Sequence, residues 1–293
     1  MSFSHLKNKP SFPFETIATA IAFSPRCKNI LAEAQFFKRS FKSKLVLIHV
    51  GEKTTEKQVQ LEKYCAEINL PLTDFTMLWK TGDVVEQIMT SCKAEAVDLL
   101  LMGAVSKENM MQFYIGSIAR KLCRKAKCSV LLLTQPQEKP SYFNKMVVNH
   151  DDTPKSKHTL DTAIYFAQHQ PKTDIYLVNE VNLPALALSM ADGNSIPEAK
   201  QIKQELLGDD VAELKELCSK HECETIRMAS RTVNGKPGFA IANFAKTKKA
   251  DLLVLNSPDK KLGILDRIFT HDIEHVLADL PCNLLIVHSR THN

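Results

Sequence analysis

Two glycines and a serine carry the most suggestive chemistry in this sequence. Gly103 closes the apolar run Asp98 to Met102, and Gly116-Ser117 opens a helical pattern after a polar loop. In an open parallel sheet, ligands bind beyond the carboxyl ends of the strands, where a helix N-terminus offers unpaired N–H groups and a positive dipole end. Gly103 lets the chain leave its strand with close approach to a ligand, Gly116 does the same at the helix start, and the Ser117 hydroxyl can hydrogen-bond a phosphate. The spacing describes an anion site. It equally describes two turn glycines and a helix-capping serine.

The elements around these residues follow from hydrophobic periodicity. Asp98 to Met102 and Cys128 to Leu133 are unalternating apolar runs, as expected of strands in a parallel sheet covered on both faces. Between them Ile115, Ile118, Ala119, Leu122 and Ala126 fall on one helical face, away from Arg120, Lys121, Arg124 and Lys125. Upstream, the pattern predicts a strand at Glu15 to Phe23 and a helix with Ile30, Leu31, Ala34, Phe37 and Phe41 inward. A strand at Lys44 to Val50, a helix at Thr55 to Ile68 and a strand at Phe75 to Lys80 come next. Gly82-Asp83 then opens a helix with Val84, Val85, Ile88, Met89 and Cys92 inward. Right-handed crossovers turn this βαβαβαβαβ order into a five-stranded parallel sheet with helices on both faces.

The same order returns. Predicted strands at Lys145 to His150, Asp174 to Val181, Glu224 to Ala229, Ala250 to Asn256 and Cys282 to Val287 alternate with helices at Ser156 to His169, within Glu198 to Lys220, near Gly238 to Lys249, and at Ile273 to Leu280. Leu31 corresponds to Leu160, Phe37 to Phe166, Gly82 to Gly235 and Ile88 to Ile241, so the chain is an internal duplication. The boundaries read as an N-terminal arm at 1–14, a first domain at 15–135, a linker at 136–142 with two prolines in or beside it, and a second domain at 143–289. The second copy has an insertion near 182–197 whose Leu183, Leu186, Leu188 and Met190 suit either a lid on its own domain or a patch for a ligand or partner.

Composition narrows the function. A 293-residue chain with 44% hydrophobic and 24% charged residues has the profile of a soluble globular protein of about two domains. A formal charge of +5, dispersed among acidic residues, argues against a nucleic-acid partner. The sequence has no signal-peptide pattern or apolar run of spanning length, so a cytoplasmic location without a membrane span is expected. The eight cysteines include no CxxC pair, and Cys92, Cys123, Cys128 and Cys282 fall on buried faces or strand starts, so reduced thiols are expected. No Walker motif, GxGxxG or G-x-S-x-G elbow occurs, and no carboxylate or lysine is evidently placed to activate water, so no enzyme is expected.

The strand-loop-helix-strand unit, together with TIATAIAFSP, KLVLIHVGE and GDVVEQIM, resembles the universal stress protein family across both copies. The family's nucleotide loop, G-x-x-G, nine residues, G-[ST], reads here Gly103-x-x-Ser106, nine residues, Gly116-Ser117, with one glycine replaced. The resemblance implies two tandem α/β sandwiches packed as an internal pseudo-dimer through Cys128 to Leu133 and Cys282 to Val287. A homodimer of the whole chain is a further state it allows. It also implies a stress-response regulatory module, with ATP or AMP, with magnesium, as the candidate ligand and an unidentified protein partner. By position, the nucleotide cradle of the first copy falls on Val50, Met102, Gly103, Ser106, Gly116, Ser117 and Ile118. The aspartate that closes the first strand in nucleotide-binding members is Ala22 here. The second copy keeps that aspartate as Asp151, but its loop reads Asn256-Ser257-Pro258-Asp259, with Phe269-Thr270-His271 near the place of the Gly-Ser pair. Asp259 adds negative charge and Pro258 removes a donor, so no triphosphate is expected there.

Weaker constellations remain. His150, Asp151, Asp152 and His158 crowd one strand end, and His271 and His275 lie one helical turn apart without an HExxH pattern, so no metal is expected at either. Two readings of function follow. One is a nucleotide-responsive stress module acting through the first copy. The other is a scaffold without nucleotide that takes a protein, lipid or small-molecule ligand through the second copy and its insertion.

Overall fold

The computed structural model describes residues 12–106, 113–151, 154–181, 216–221, 223–257 and 271–288. In the first half, β1 (Thr16–Ala20), α1 (Cys27–Phe41), β2 (Lys44–Val50), α2 (Thr55–Glu67), β3 (Thr76–Lys80), α3 (Val84–Ala94) and β4 (Leu99–Gly103) follow in order. A short hairpin, β5 (Val105–Ser106) with β6 (Phe113–Tyr114), then leads to α4 (Ser117–Lys125) and β7 (Ser129–Leu133). The second half gives β8 (Lys145–Asn149), α5 (Pro154–Gln168), β9 (Thr173–Val181), β10 (Ile226–Asn234), α6 (Phe239–Lys248), β11 (Leu252–Asn256), α7 (His271–Ala278) and β12 (Asn283–Val287). Residues 216–221 are helical, inside the expected second helix of this half. The insertion at 182–197, with Leu183, Leu186, Leu188 and Met190, lies outside the described residues.

Of the twelve strands among the described residues, ten form one sheet, ordered β10-β9-β8-β11-β12-β7-β4-β1-β2-β3. In this sheet every pairing within a half is parallel, and the halves meet through one antiparallel pair, β7 with β12. Leu131, the central residue of β7, pairs with Leu285, the central residue of β12, and both are fully buried. A local pseudo-two-fold axis therefore passes between these leucines. The same symmetry places a polar clasp at each end. Asn283 Oδ1 accepts from the Thr134 N–H at 2.9 Å, and Ser129 Oγ accepts from the His288 N–H at 3.2 Å. Pairing the last strands removes two sheet edges that would otherwise expose a full ladder of hydrogen-bonding groups.

Each sheet face carries a core that runs through both halves. On one face α1 and α5 meet in an aromatic cluster: Phe37, Phe41, Phe143 and Phe166 are buried, with Phe37 and Phe41 ring centroids 5.7 and 5.1 Å from Phe166. Phe14, expected to end a polar arm, is instead fully buried between Phe41 and Tyr165. Tight aromatic pairs contribute about 0.5–1.5 kcal/mol beyond area burial, so this cluster joins the halves as a packed core does. On the other face, Arg120 of α4 donates to Glu274 of α7 at 2.9 Å.

The expected inner faces hold for α1, where all five residues are buried, and for α7, where Ile273, Val276 and Leu277 are, as is Leu280 just beyond it. One residue departs. Ile118, assigned to the inner face of α4, is 44% exposed, because it lies in the first turn at the carboxyl edge of the sheet. The polar loop after β4 contains a two-stranded hairpin in which Ser106 pairs with Phe113.

The linker is fixed to α1. The Gln137 N–H donates to Glu33 Oε1 at 2.9 Å, and Asn29 Nδ2 donates to the Pro136 carbonyl at 2.9 Å. Burial pushes the Glu33 carboxyl up to about 7, against the opposing pull of the Gln137 N–H. The folded state thus holds this proton more tightly than the unfolded chain, and stability is lost as pH rises from the ordinary glutamate range through 7. Equilibrium denaturation across that window should show a fall of order 3 kcal/mol at most. Glu33→Gln, which keeps the acceptor, should flatten the slope; an unchanged slope would contradict the assignment.

Candidate functional site

The strand order of the first half reverses between β1 and β4, the place where an open α/β sheet forms a crevice at its carboxyl edge. Two helices open onto that crevice, α1 after β1 and α4 after β4. Neither has a side-chain cap at its N-terminus, and neither has an acidic residue in its first turn. The other two helices of this half are capped: Thr54 accepts from Lys57 N on α2, and Asp83 accepts from Glu86 N on α3. A side-chain cap stabilises a helix by about 1 kcal/mol, so its lack at both mouths of one crevice leaves N–H groups for another acceptor.

The residues singled out from the sequence fall along this edge. Met102 is buried and Gly103 half-buried at the end of β4, paired with Leu132 and Leu133 of β7. Ser106 lies in the hairpin, Gly116 is the N-cap of α4, Ser117 is its exposed first residue, and Ile118 follows it into solvent. Val50 ends β2 on the other side of β1, half-buried. The fold thus places the first-copy set on one edge, while Asp151 belongs to the other half. Gly103 has a steric reason to be glycine: a Cβ there would meet Ile30 Cδ1 at 3.0 Å.

Sequence reasoning missed three groups. Arg26, the N-cap residue of α1, donates from Nη1 to the Ala104 carbonyl at 3.1 Å, which brings a guanidinium across the crevice mouth. Its counterpart by repeat alignment is Lys155, whose Nζ donates to the Ser257 carbonyl at 3.5 Å, so both copies set a cation at this position. The repeat itself was the signal that would have found it. The second group is aromatic. Phe23 stacks on Trp79 at 5.9 Å with an interplanar angle of 7°, and His49 meets both edge-to-face at 4.9 and 5.2 Å. His49 Nδ1 donates to the Ile21 carbonyl at 3.1 Å, and the buried Nε2 has no hydrogen-bond partner among the described residues. Gly51, at φ +156°, lies against that nitrogen, where a Cβ would come within 2.9 Å.

The third group closes the corresponding crevice of the second half. Asn256 stands where the first copy has Gly103, and its Nδ2 donates to Asp151 Oδ2 at 3.0 Å. Thr159, the counterpart of Ile30, donates to Asn256 Oδ1. The Gly103–Ile30 contact of one copy is therefore replaced by a hydrogen-bonded Asp151–Asn256–Thr159 chain in the other, which engages the aspartate. Glu180 caps α6, accepting from Gly238 N at 3.0 Å and Ile241 N at 2.8 Å, so that helix N-terminus already holds a carboxylate. The histidine and aspartate crowding is also resolved locally: Ser156 Oγ lies 3.1 Å from His150 Nδ1 and accepts from Asp151 N at 2.9 Å. Asp152, Pro258, Asp259, Phe269 and Thr270 lie outside the described residues. So do the side chains of His271 and Ser106. His275 packs on Phe239 with ring centroids 4.3 Å apart, and no metal-binding group of three histidine, cysteine or acidic side chains occurs among the described residues. No described helix is long and apolar enough to cross a membrane.

The family model described as "Universal stress protein family" matches the chain twice, at residues 13–134 and 143–288. Among solved structures, a functionally unknown protein of Pseudomonas aeruginosa PAO1 aligns over 94% of this chain and 93% of its own at 13% identity and a TM-score of 0.66. A protein of Pseudomonas aeruginosa UCBPP-PA14 assigned to the universal stress proteins aligns over 94% of both chains at 15% identity, with a TM-score of 0.65. A universal stress protein of Archaeoglobus fulgidus DSM 4304 aligns over 94% of this chain and 98% of its own at 13% identity, with a TM-score of 0.61. At such identities the likeness is one of fold. No curated protein matches the sequence.

The Gly103–Ile30 contact can be checked by a double-mutant cycle. Gly103→Ala should destabilise the fold by about 1–3 kcal/mol through overpacking, and Ile30→Val alone by about 0.5–1.5 kcal/mol. Together they should cost less than their sum, because the valine lacks the Cδ1 that the new methyl meets. Strict additivity in chemical denaturation would show that the two positions do not touch.

Proposed function

The chain belongs to the universal stress protein family as two copies in tandem, and from that premise we propose that its first copy is a weak adenine-nucleotide site that regulates a protein interaction. The supporting observation is the pair of uncapped helix N-termini, α1 and α4, opening onto the β1/β4 crevice. In this reading the phosphates lie between Gly103, Ser106 and the Gly116-Ser117-Ile118 turn, where N–H groups and the helix dipole favour an anion. Met102 carries the strand up to that turn, and the backbone near Val50 meets the adenosine end.

Ala22 removes the aspartate that nucleotide-binding members place at the end of the first strand. A hydrogen bond to a charged group contributes about 1.5–3 kcal/mol, so weaker binding follows. The aromatic group beside Val50 offsets part of that loss. A base stacked on an aromatic face gains about 1–3 kcal/mol, and Phe23 and Trp79 are half-buried at the carboxyl ends of β1 and β3. Magnesium would be held by the phosphates rather than by a protein cage, since the described part of the crevice carries no carboxylate cluster.

The second reading, a scaffold that engages its ligand through the second copy, rests on the Asp151–Asn256–Thr159 chain, which fills the place of a nucleotide cradle with side chains. In this second reading the first copy takes no nucleotide. Domain limits of 15–135 and 143–289 and a cytoplasmic location belong to the same proposal.

Trp79 is the sole tryptophan, so intrinsic fluorescence reports the proposed base site directly. Titrating nucleotide-stripped protein with ATP or AMP in magnesium should quench or shift that emission with a dissociation constant in the micromolar range. Gly116→Glu, which puts bulk and negative charge at the α4 N-terminus, should abolish the response. Silence up to millimolar nucleotide would leave the scaffold reading; an undiminished response in the variant would move the site elsewhere.

A further inference from the structure

A second site lies at the opposite edge of the first half. Between α3 and α4, at the amino-terminal ends of β4 and β7, a cavity of about 290 Å³ is lined by Met89, Cys92 and Cys128 together with the apolar side chains of Leu100 and Leu122. Met89 and Cys92 are three residues apart on α3 and so share one face of the helix. Cys128 faces them from the residue before β7. Cys123 and Cys282 are equally buried yet do not line the cavity, so these three sulfurs are set apart from thiols that serve only as small hydrophobes.

We infer that Met89, Cys92 and Cys128 form a binding site for a soft monovalent metal ion, with Cu(I) the ion that fits. Two thiolates and a thioether make an all-sulfur, three-donor set, the ligand type that selects Cu(I). A structural zinc ion takes four donors, and a thioether is not among its usual ligands. Uptake is a simple exchange: Cu(I) binds both sulfurs, the two S–H bonds break, and two protons leave to solvent with no change of oxidation state. The resulting centre has a net charge of −1, and Lys93 and Lys127 line the same cavity and place cations beside it. Cys92 and Cys128 are buried and Met89 is half-buried.

The Cys92 and Cys128 thiols are joined by a hydrogen bond, so the two sulfurs already meet in the metal-free protein. Uptake displaces the thiol protons, so metal affinity must fall as the solution is acidified. The site stands apart from the nucleotide crevice and does not depend on it.

The test is anaerobic titration of the reduced full-length chain with Cu(I) against a chromophoric Cu(I) chelator. One equivalent should resist the chelator, proton release should accompany binding, and Cys92→Ala and Cys128→Ala should each lose the tight equivalent. Met89→Leu, which removes the thioether donor, should weaken it. Cys27 and Cys65 form the other neighbouring thiol pair, and a Cys27→Ala/Cys65→Ala variant should retain the metal. Copper-edge X-ray absorption on the wild-type protein gives a reading that does not depend on whether any variant folds, and should show sulfur neighbours alone. Failure to retain Cu(I), loss in the Cys27/Cys65 variant instead, equal retention of Zn(II), or nitrogen in the coordination shell would each overturn the assignment.

Discussion

The antiparallel pairing of β7 with β12 is the constraint on which the rest depends. Each half alone would end in a strand that is apolar after its first residue and has an open ladder, Ser129–Leu133 in one and Asn283–Val287 in the other. Joining them about the Leu131–Leu285 pair converts two exposed edges into the centre of a ten-stranded sheet. Everything on the faces then follows. With the strands aligned, α1 meets α5 and α4 meets α7, and the aromatic cluster around Phe166 and the Arg120–Glu274 bridge fill the two seams. Duplication also frees one copy to change. The shared fold depends on the strands and on residues such as Asp98 and Asp251, which hold the first-strand N–H groups of Thr16 and Lys145 at 3.0 and 2.9 Å. It does not depend on what stands in either crevice.

The two crevices have diverged in a correlated way. Where the first copy has Ala22, Gly103 and Ile30, the second has Asp151, Asn256 and Thr159, and the three changes make one hydrogen-bonded chain. A buried polar group without a partner costs about 1–3 kcal/mol, so these positions favour changing together. The first copy keeps an apolar floor with glycine above it, helix N-termini without caps and an arginine at the mouth. The second copy meets its own polar groups internally, down to the Glu180 carboxylate on the α6 N-terminus.

Most of the fold was legible because buried parallel strands read as continuous apolar runs. KLVLIHV gave β2 at its observed limits, Lys44–Val50. The misses have local causes. The first strand was expected to reach Phe23 but ends at Ala20: the Ile21 N–H still donates to the Ile48 carbonyl, and Phe23 then turns onto His49 and Trp79. The strand expected at Glu224 to Ala229 runs over Ile226–Asn234, because β10 is an edge strand whose outer half pairs through its backbone while its side chains are polar. Ile118 misled because periodicity assigns a face without saying where the sheet stops. At the site, the glycines and Ser117 were visible as a motif. Arg26, the aromatic group and the Asn256–Thr159 bond were not, since each depends on a contact between residues distant in sequence.

The central claim is that the two crevices are unequal, one able to accept an anionic ligand and the other closed by its own side chains. Amide-resolved NMR of the intact chain during addition of ATP and magnesium tests this most directly. The account predicts shifts at Gly51, Gly103 and Gly116 through Ile118, and at the Trp79 indole, with Asp151, Ser156 and Asn256 unmoved. Shifts centred on Asp151 and Asn256, with the Gly116 turn silent, would contradict it.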